Sequence, residues 1–183
     1  MKKILWIDLE MTGLDVAKEV IIEVAAIVTD LDFNNLETYH AVIQQPQTYL
    51  DNMDQWNTEH HGASGLLAQI PHGKDPETVE NDLCSFVDRH FAEPAVIAGN
   101  SIGQDRLFIN KYMPKFASRL HYRTLDVTSW KLLMNHKYQI IYDKRNTHRA
   151  LEDIEESIGE LSHYLSYLSI PQESAPENLP HRP

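Results

Sequence analysis

The sequence predicts an α/β fold in which a mixed five-stranded sheet is flanked by helices. Three segments rich in β-branched and aromatic residues follow one another across short turns, at residues 3–10, 19–30 and 36–45. This pattern is typical of an antiparallel meander. Beyond residue 45, helix and strand patterns alternate, which favours parallel strands joined by crossover helices. A meander that continues into such units gives a mixed sheet with helices on its faces.

The first strand has two different faces, because alternate residues of a strand point to the same side. One face carries Ile4, Trp6, Asp8 and Glu10, and the other carries Leu5, Ile7 and Leu9. The second segment, "EVIIEVAAIVTD" at residues 19–30, is rich in Val and Ile and predicts a central strand. A turn signal at residues 34–35 separates it from the third strand.

Helical spacing dominates the rest of the chain. Residues 49–70 predict two short helices broken at Gly62, and residues 76–91 predict an amphipathic helix that places Cys84 in the core. The remaining elements are a strand at 94–100, a helix at 101–113 with Ser101 as N-cap, a fifth strand running into a helix over 122–134, and a last helix at 147–168.

Composition predicts a cytoplasmic protein with one domain. The single cysteine excludes an internal disulfide, which favours a reducing compartment. The apolar run after the two lysines near the start stops at Asp8, too early for a signal peptide, and no stretch is long enough to span a membrane. Residues 1–170 suffice for one domain, and the proline-rich residues 171–183 predict a disordered tail.

The charge is uneven along the chain. A net charge of −11 argues against wrapping long nucleic acid through nonspecific phosphate contacts. Residues 119–149 nevertheless hold seven Lys or Arg and only two acids. Such a segment suits a small anionic ligand better than a long polyanion, although an ordinary solvated face would have the same composition.

Two acids interrupt the first strand where a core strand should be apolar. Asp8 and Glu10 lie at positions i and i+2, so their carboxylates project side by side. Two like charges at that distance repel, and each raises the pKa of the other. A divalent cation removes this repulsion, and Mg²⁺ and Mn²⁺ prefer carboxylate oxygens. The alternative is that both acids end the strand in solvent.

Two later segments carry further polar residues of interest. Asp105 lies inside the helix that follows the strand at 94–100, where it could be an unremarkable surface acid. In "HRALED", His148 and Asp153 are separated by about 500° of helical rotation and cannot share a helix face. We expect His148 on the approach to the last helix and Asp153 inside it, although a histidine there could equally be a simple cap.

The three motifs together are far more specific than any one of them. The ordered set D-x-E, D and H-x-x-x-x-D, found in "WIDLEMTGLD", "AGNSIGQDR" and "HRALEDI", resembles the DEDDh family of 3′-to-5′ exonucleases. The resemblance runs from residue 3 to about residue 168. It implies a ribonuclease H-like fold for an exonuclease domain at residues 1–170. More narrowly, the motifs resemble members that hydrolyse very short oligoribonucleotides, down to dinucleotides, to 5′-mononucleotides.

The resemblance also assigns roles in the reaction. Asp8, Glu10, Asp105 and Asp153 match the four metal-site acids of the family, and His148 matches its general base. The implied cofactors are two divalent ions, Mg²⁺ or Mn²⁺, which activate a water and stabilise the leaving oxygen. A histidine, whose free pKa lies near neutrality, suits the removal of the proton from that water.

Substrate contacts and a partner are implied as well. Six residues match positions that touch the substrate in the family: Leu14, Trp56, Ser101, Tyr122, Arg123 and Thr128. The leucine and the tryptophan pack against bases, and the two hydroxyls lie near the terminal phosphate. The tyrosine and the arginine, in "HYR", reach from the partner subunit of a homodimer to stack on a base and to bind that phosphate. Leu14, Trp56 and Tyr122 could instead be ordinary packing residues.

Two other functions share these motifs. A proofreading or repair exonuclease acting on DNA would carry the same acids, and an inactive nuclease fold could serve as a binding module. The stretches "HYR" and "GNSIGQDR" favour RNA, and the presence of all five catalytic-type residues disfavours an inactive fold. A zinc site at "EHHG", residues 59–62, is disfavoured because adjacent histidines do not easily face one metal.

Overall fold

The computed structural model describes residues 2–143 and 149–169 of the chain. In these residues five strands form one mixed sheet of order β3-β2-β1-β4-β5. Strand β2 is antiparallel to both β1 and β3, whereas β4 and β5 run parallel to β1. The strands are β1 (Lys3–Met11), β2 (Ile21–Asp30), β3 (Asn35–Val42), β4 (Ala95–Gly99) and β5 (Leu120–Asp126). The predicted fold class is therefore confirmed.

Helices pack on both faces of this sheet. In the described part of the chain they are α1 (Gln47–Asp51), α2 (Gln55–Ala63), α3 (Leu66–Gln69), α4 (Pro76–His90), α5 (Ile102–Tyr112), α6 (Pro114–Ala117), α7 (Val127–Tyr138) and α8 (Ala150–Leu165). A single 3-10 turn, Ile70–His72, follows α3. The parallel strands β1, β4 and β5 are connected through these helices, as expected for crossover connections.

The region between β3 and α4 differs from the sequence prediction. Gly62 lies inside α2, so a helix break at that residue was the wrong prediction. The break comes at Gly65, whose φ of 73° lies in the left-handed region that glycine adopts at little cost. A glycine inside a helix only weakens it, whereas a glycine with positive φ ends it, and the sequence alone does not distinguish the two.

Strand β1 contributes to two hydrophobic cores because its side chains alternate. Trp6 belongs to the core that includes Val127 of α7 and Ile154 of α8. Ile7 belongs to the opposite core, with residues of α4 and α5 that include Phe108. Asp8 and Glu10 share the face of Trp6 and therefore point toward the side of the sheet covered by α8. Cys84 lies in the core of the other face, 7% exposed, as predicted.

Two of the arginines in the basic segment at residues 119–149 are paired with acids elsewhere in the fold. The Arg119 side chain donates to Asp88 on α4 at 2.8 Å, and Arg149 pairs with Glu23 on β2 at 2.7 Å. Both charges are therefore balanced by acids from distant parts of the chain. A count of charges along the sequence cannot detect such pairs, because the partners are brought together only by the fold.

No helix within residues 2–143 and 149–169 combines the length and the apolar character needed to cross a bilayer. The tail expected at residues 171–183 lies outside the described residues. The division into a domain at 1–170 and a tail, and the cytoplasmic location, stay predictions.

Two glycines near the end of β4 differ sharply in the space around them. A Cβ atom added to Gly99 would lie 2.7 Å from the carbonyl oxygen of Ile7, whereas one added to Gly103, on α5, would meet nothing within 4 Å. We expect Gly99→Ala to lower the free energy of unfolding by about 1–3 kcal/mol, because the two strands must move apart. Gly103→Ala should leave it unchanged or raise it by up to about 1 kcal/mol. Urea unfolding measures both, and equal stability of the two variants would contradict this account.

Candidate active site

Three acids meet at the end of β1. Asp8 and Glu10 from β1 and Asp153 from the first turn of α8 each offer a carboxylate oxygen, and these oxygens lie within 4.8 Å of one another. All three side chains are half-buried. The strand places the first two acids side by side, and the packing of α8 across β1 and β2 brings the third.

Asp105 approaches the same strand from the other face of the sheet. It belongs to α5, whose Phe108 and Ile109 pack in the core that contains Ile7. Its side chain is 6% exposed, and its Oδ1 accepts a hydrogen bond from the backbone N–H of Leu9 at 3.0 Å. Asp105 therefore lies beside the backbone between Asp8 and Glu10, but outside the group of three.

Burial and repulsion from neighbouring acids raise the pKa values of Glu10 and Asp105. Burial first, and then Asp153, Glu23 and Asp105, raises the pKa of Glu10 to about 8, while Arg149 acts in the opposite direction. Burial also raises the pKa of Asp105, despite the hydrogen bond from Leu9. A bound divalent cation would favour the ionised forms, and an all-carboxylate donor set is one that Mg²⁺ or Mn²⁺ prefers. The residues present therefore fit a divalent metal centre.

A histidine that the sequence did not indicate lies beside this cluster. His61, on α2, is 2% exposed, and its Nδ1 is 3.9 Å from Oε2 of Glu10. Its Nε2 is 2.9 Å from the carbonyl oxygen of Met11, and because a carbonyl can only accept, Nε2 must be the donor. In the sequence this histidine stands out only as part of a possible zinc motif, since nothing local places α2 against β1.

Glu23 is a second residue that was missed. It is fully buried on β2 and pairs in register with Glu10 on β1. A signal for it was present, because a glutamate inside "IIEVAAIVTD" is as anomalous as the two acids of β1.

Ser101 and Thr128, both predicted to lie near the substrate phosphate, are brought together. Their hydroxyl oxygens are 3.2 Å apart, and the N–H of Ser101 donates to Oγ1 of Thr128 at 2.9 Å. Ser101 is the N-cap residue of α5, as predicted, although its side chain makes no capping bond. It adopts a left-handed φ of 52°, an uncommon conformation that the surrounding structure must stabilise.

The two predicted base-packing residues are exposed. Leu14 is 74% exposed in the loop after β1, and its carbonyl oxygen accepts from Nε2 of Gln104 at 2.6 Å. Trp56 is 55% exposed on α2 and stacks on His60 with a centroid distance of 3.8 Å. Neither belongs to a hydrophobic core, so both side chains are accessible to a ligand.

Tyr122 and Arg123 lie away from the acids of their own chain. Next to Arg123, Thr124 pairs with Ile97, which in turn pairs with Leu5 near the beginning of β1. Strand geometry then separates Arg123 from Asp8 by about 13 Å along the strands and about 10 Å across them. Arg123 instead lines a groove of about 940 Å³ together with Lys2 and Lys3. Tyr122 is 76% exposed beside it.

His148, the predicted general base, lies outside the described residues. Its neighbour Arg149 is the first residue described after the gap. The role of His148 therefore rests on the sequence motif alone and stays a prediction.

The fold and its acidic cluster define a nuclease. The chain matches the RNase_T family, described as "Exonuclease", over residues 5–161. Among solved structures, it superimposes on E. coli exonuclease I in complex with single-stranded DNA with a TM-score of 0.71 at 14% identity, covering 91% of this chain and 40% of that one. An exonuclease I from Methylocaldum szegediense gives a TM-score of 0.66 at 15% identity, with 97% and 42% covered. The chain thus spans about 40% of the length of these enzymes, and the likeness establishes a ribonuclease H-like fold.

Similar proteins of known name identify the kind of nuclease. The chain is 43% identical over 171 residues to the mitochondrial oligoribonuclease of Homo sapiens, covering 89% of this chain and 72% of that protein. It is 44% identical over 167 residues to the oligoribonuclease of Ectopseudomonas mendocina, covering 88% and 93%. The chain belongs to the oligoribonucleases of the DEDDh exonuclease family. It is accordingly a 3′-to-5′ exoribonuclease whose acidic cluster is suited to a divalent metal.

The raised pKa of Glu10 predicts how stability depends on pH in the metal-free protein. Between 4.5 and about 8, the folded protein keeps a proton on Glu10 that the unfolded chain has lost. The free energy of unfolding should therefore fall as pH rises through this range, by at most about 1.4 kcal/mol per pH unit for one proton. We expect Glu10→Gln to make the slope less steep, with Asp105 supplying what remains, and the exposed control Glu93→Gln to retain the full slope. Urea unfolding with chelator at pH 5, 6.5 and 8 measures this, and parallel curves for wild type and Glu10→Gln would refute it.

Proposed function

We propose that this exoribonuclease acts on very short oligoribonucleotides, down to dinucleotides, and releases 5′-mononucleotides. The observation that carries the proposal is the convergence of Asp8, Glu10 and Asp153 in a chain 43% identical to a named oligoribonuclease. The net charge of −11 also favours a short substrate, because a long polyanion would be repelled by most of the surface.

We infer that Asp8, Glu10, Asp105 and Asp153 hold two divalent ions, Mg²⁺ or Mn²⁺. Three of these acids already lie within one ligand sphere, and Asp105 lies against the backbone between the first two. When bound, such ions activate a water and stabilise the charge on the leaving oxygen. His148, next to Arg149 in the chain, is the proposed acceptor of the proton from that water.

The remaining residues would bind the oligonucleotide. Leu14 and Trp56 offer exposed apolar surfaces on which bases can stack, and each stacked base contributes about 1–3 kcal/mol. The paired hydroxyls of Ser101 and Thr128 offer hydrogen bonds to a phosphate. These contacts depend on a base and a phosphate rather than on a long backbone, which suits a substrate of few nucleotides.

The site is proposed to be completed by a second copy of the chain. Arg123 lies too far from the acids of its own chain to reach a phosphate bound beside them. In a homodimer, Tyr122 and Arg123 of each chain would enter the site of the other. Exposed apolar residues on α7 support an interface, namely Leu132, Leu133 and Tyr138.

Substrate length tests the proposed function directly. Initial rates on 5′-labelled RNAs of two to seven nucleotides with Mn²⁺ should be highest for the dinucleotide and should vanish with chelator. Asp153→Asn should lower kcat at least about 100-fold, since loss of even an outer-shell partner of a metal costs 10–100-fold. The exposed Glu155→Gln on the same helix should retain the wild-type rate. Rates that rise with length, or a deoxyribo-dinucleotide preferred to the ribo-dinucleotide, would favour the rival DNA exonuclease.

A mixing experiment tests the shared site. Asp105→Ala and Arg123→Ala should each be inactive, and equal amounts should recover to about a quarter of wild type once subunits exchange, because half the dimers then contain one intact site. If Arg123 served its own chain, every site would keep a defect and activity would stay at the level of the parents. Mass spectrometry confirms that exchange has occurred.

A further inference from the structure

A third carboxylate lies behind the acids of β1 and is engaged with the beginning of α8. Glu23 on β2 is opposite Glu10 in the antiparallel register, so both side chains project from the same face of the sheet. Unlike Glu10, Glu23 has no exposed surface. A fully buried carboxylate is costly unless its oxygens are bonded.

Among the described residues, every hydrogen bond that Glu23 makes leads to a residue outside the acidic cluster. Arg149 donates from Nε at 2.9 Å and from Nη2 at 2.7 Å to its Oε1, and the backbone N–H of Ala150 donates to Oε2 at 3.1 Å. The Nε2 of His40 lies 2.7 Å from Oε1. Burial alone would raise the pKa of Glu23, but the hydrogen bonds from His40, Arg149 and Ala150 lower it to about 2. Glu23 is therefore an anion whose two oxygens are both occupied.

These contacts supply a cap that the side chain of Arg149, the N-cap residue of α8, does not provide. Arg149 occupies the N-cap position, and its own side chain makes no capping bond to the first N–H groups of the helix. Glu23 accepts one of these bonds from the neighbouring strand, where a negative charge also suits the positive end of the helix dipole. The carbonyl oxygen of Arg149 in turn accepts from the N–H of Asp153 at 3.0 Å. Asp153 thus lies one helical turn from the contact with Glu23.

We propose that Glu23 and Arg149 act as a positioning pair that sets the affinity of the metal centre by holding the first turn of α8 against β2. Through this pair Asp153 is kept within reach of Asp8 and Glu10. Glu23 is not itself a ligand, because its oxygens are used by Arg149, Ala150 and His40. The inference rests on the proposed metal role of the three acids.

A purely electrostatic role of the Glu23–Arg149 pair predicts different cation affinities for the variants from those that a positioning role predicts. If the pair acted only through its field, Glu23→Gln would weaken cation binding, since it removes a negative charge. Arg149→Met would then strengthen binding, since it removes a positive charge, and the double variant would bind as wild type. If the pair positions Asp153, all three variants bind more weakly. Arg149→Lys also distinguishes the two roles, because lysine keeps the charge but lacks the fork that bonds a carboxylate twice. An electrostatic role predicts wild-type cation affinity for this variant, and a positioning role predicts weaker binding.

Mn²⁺ binding to the full chain, titrated at pH 8 by paramagnetic resonance of the free ion, is the measurement. We expect Glu23→Gln, Arg149→Met and their double variant to bind Mn²⁺ about 10–100-fold more weakly, the range typical of outer-shell partners of a metal. Arg149→Lys should also bind more weakly than wild type. Circular dichroism shows which variants are folded, and the partly exposed Arg149 provides two single variants should Glu23→Gln not fold.

A more exposed glutamate–arginine ion pair elsewhere in the fold serves as control. Glu37 on β3 and Arg89 on α4 also join a strand to a helix. Glu37→Gln and Arg89→Met should leave Mn²⁺ affinity unchanged. Opposite shifts in the two single variants of the Glu23–Arg149 pair, or wild-type affinity in all of them, would overturn the positioning role while the metal site stands. Failure of wild type to bind Mn²⁺ would overturn the metal site and the positioning role together.

Discussion

Mutual repulsion among carboxylates at the end of β1 is the constraint on which the rest of the structure depends. Asp8, Glu10 and Asp153 offer oxygens within 4.8 Å of one another, and burial together with Asp153, Glu23 and Asp105 raises the pKa of Glu10 to about 8. A loosely packed chain would relieve the repulsion by moving the acids apart. Here two of the acids lie on a central strand packed on both faces and the third lies on α8, which packs against that strand. A close-packed interior resists such relaxation.

The fold delivers these acids from two directions. Strand β1 carries two of them, α8 brings Asp153 across one face, and α5 brings Asp105 from the other, where it bonds the N–H of Leu9. Each helix is anchored by its own apolar residues, such as Phe108 on α5 and Ile154 on α8. The acidic cluster is thus a product of sheet order, since β1 lies in the middle of the sheet with helices packed on both of its faces.

Much of the candidate site was predictable from sequence because its signals are local. The i, i+2 spacing of Asp8 and Glu10 requires only that residues 3–11 form a strand. The sequence-based prediction failed where one local pattern is compatible with two different structures. Gly62 and Gly65 are both glycines in a helical region, yet Gly62 lies inside α2 and Gly65, with a positive φ, lies at the break. Glu23 was overlooked because its strand was judged by its apolar neighbours.

By itself, the sequence determined the alternation of β1, the order of strands and helices, and the motifs that mark the exonuclease family. Each depends on neighbours a few residues apart, for which strand and helix periodicity is sufficient. Only the tertiary structure decided that Glu23 lies opposite Glu10, that Arg149 is an ion-pair partner rather than a free charge, and that Arg123 lies far from the acids of its chain. These relations join residues up to 126 positions apart, and strand register and helix packing, which no local pattern encodes, bring them together.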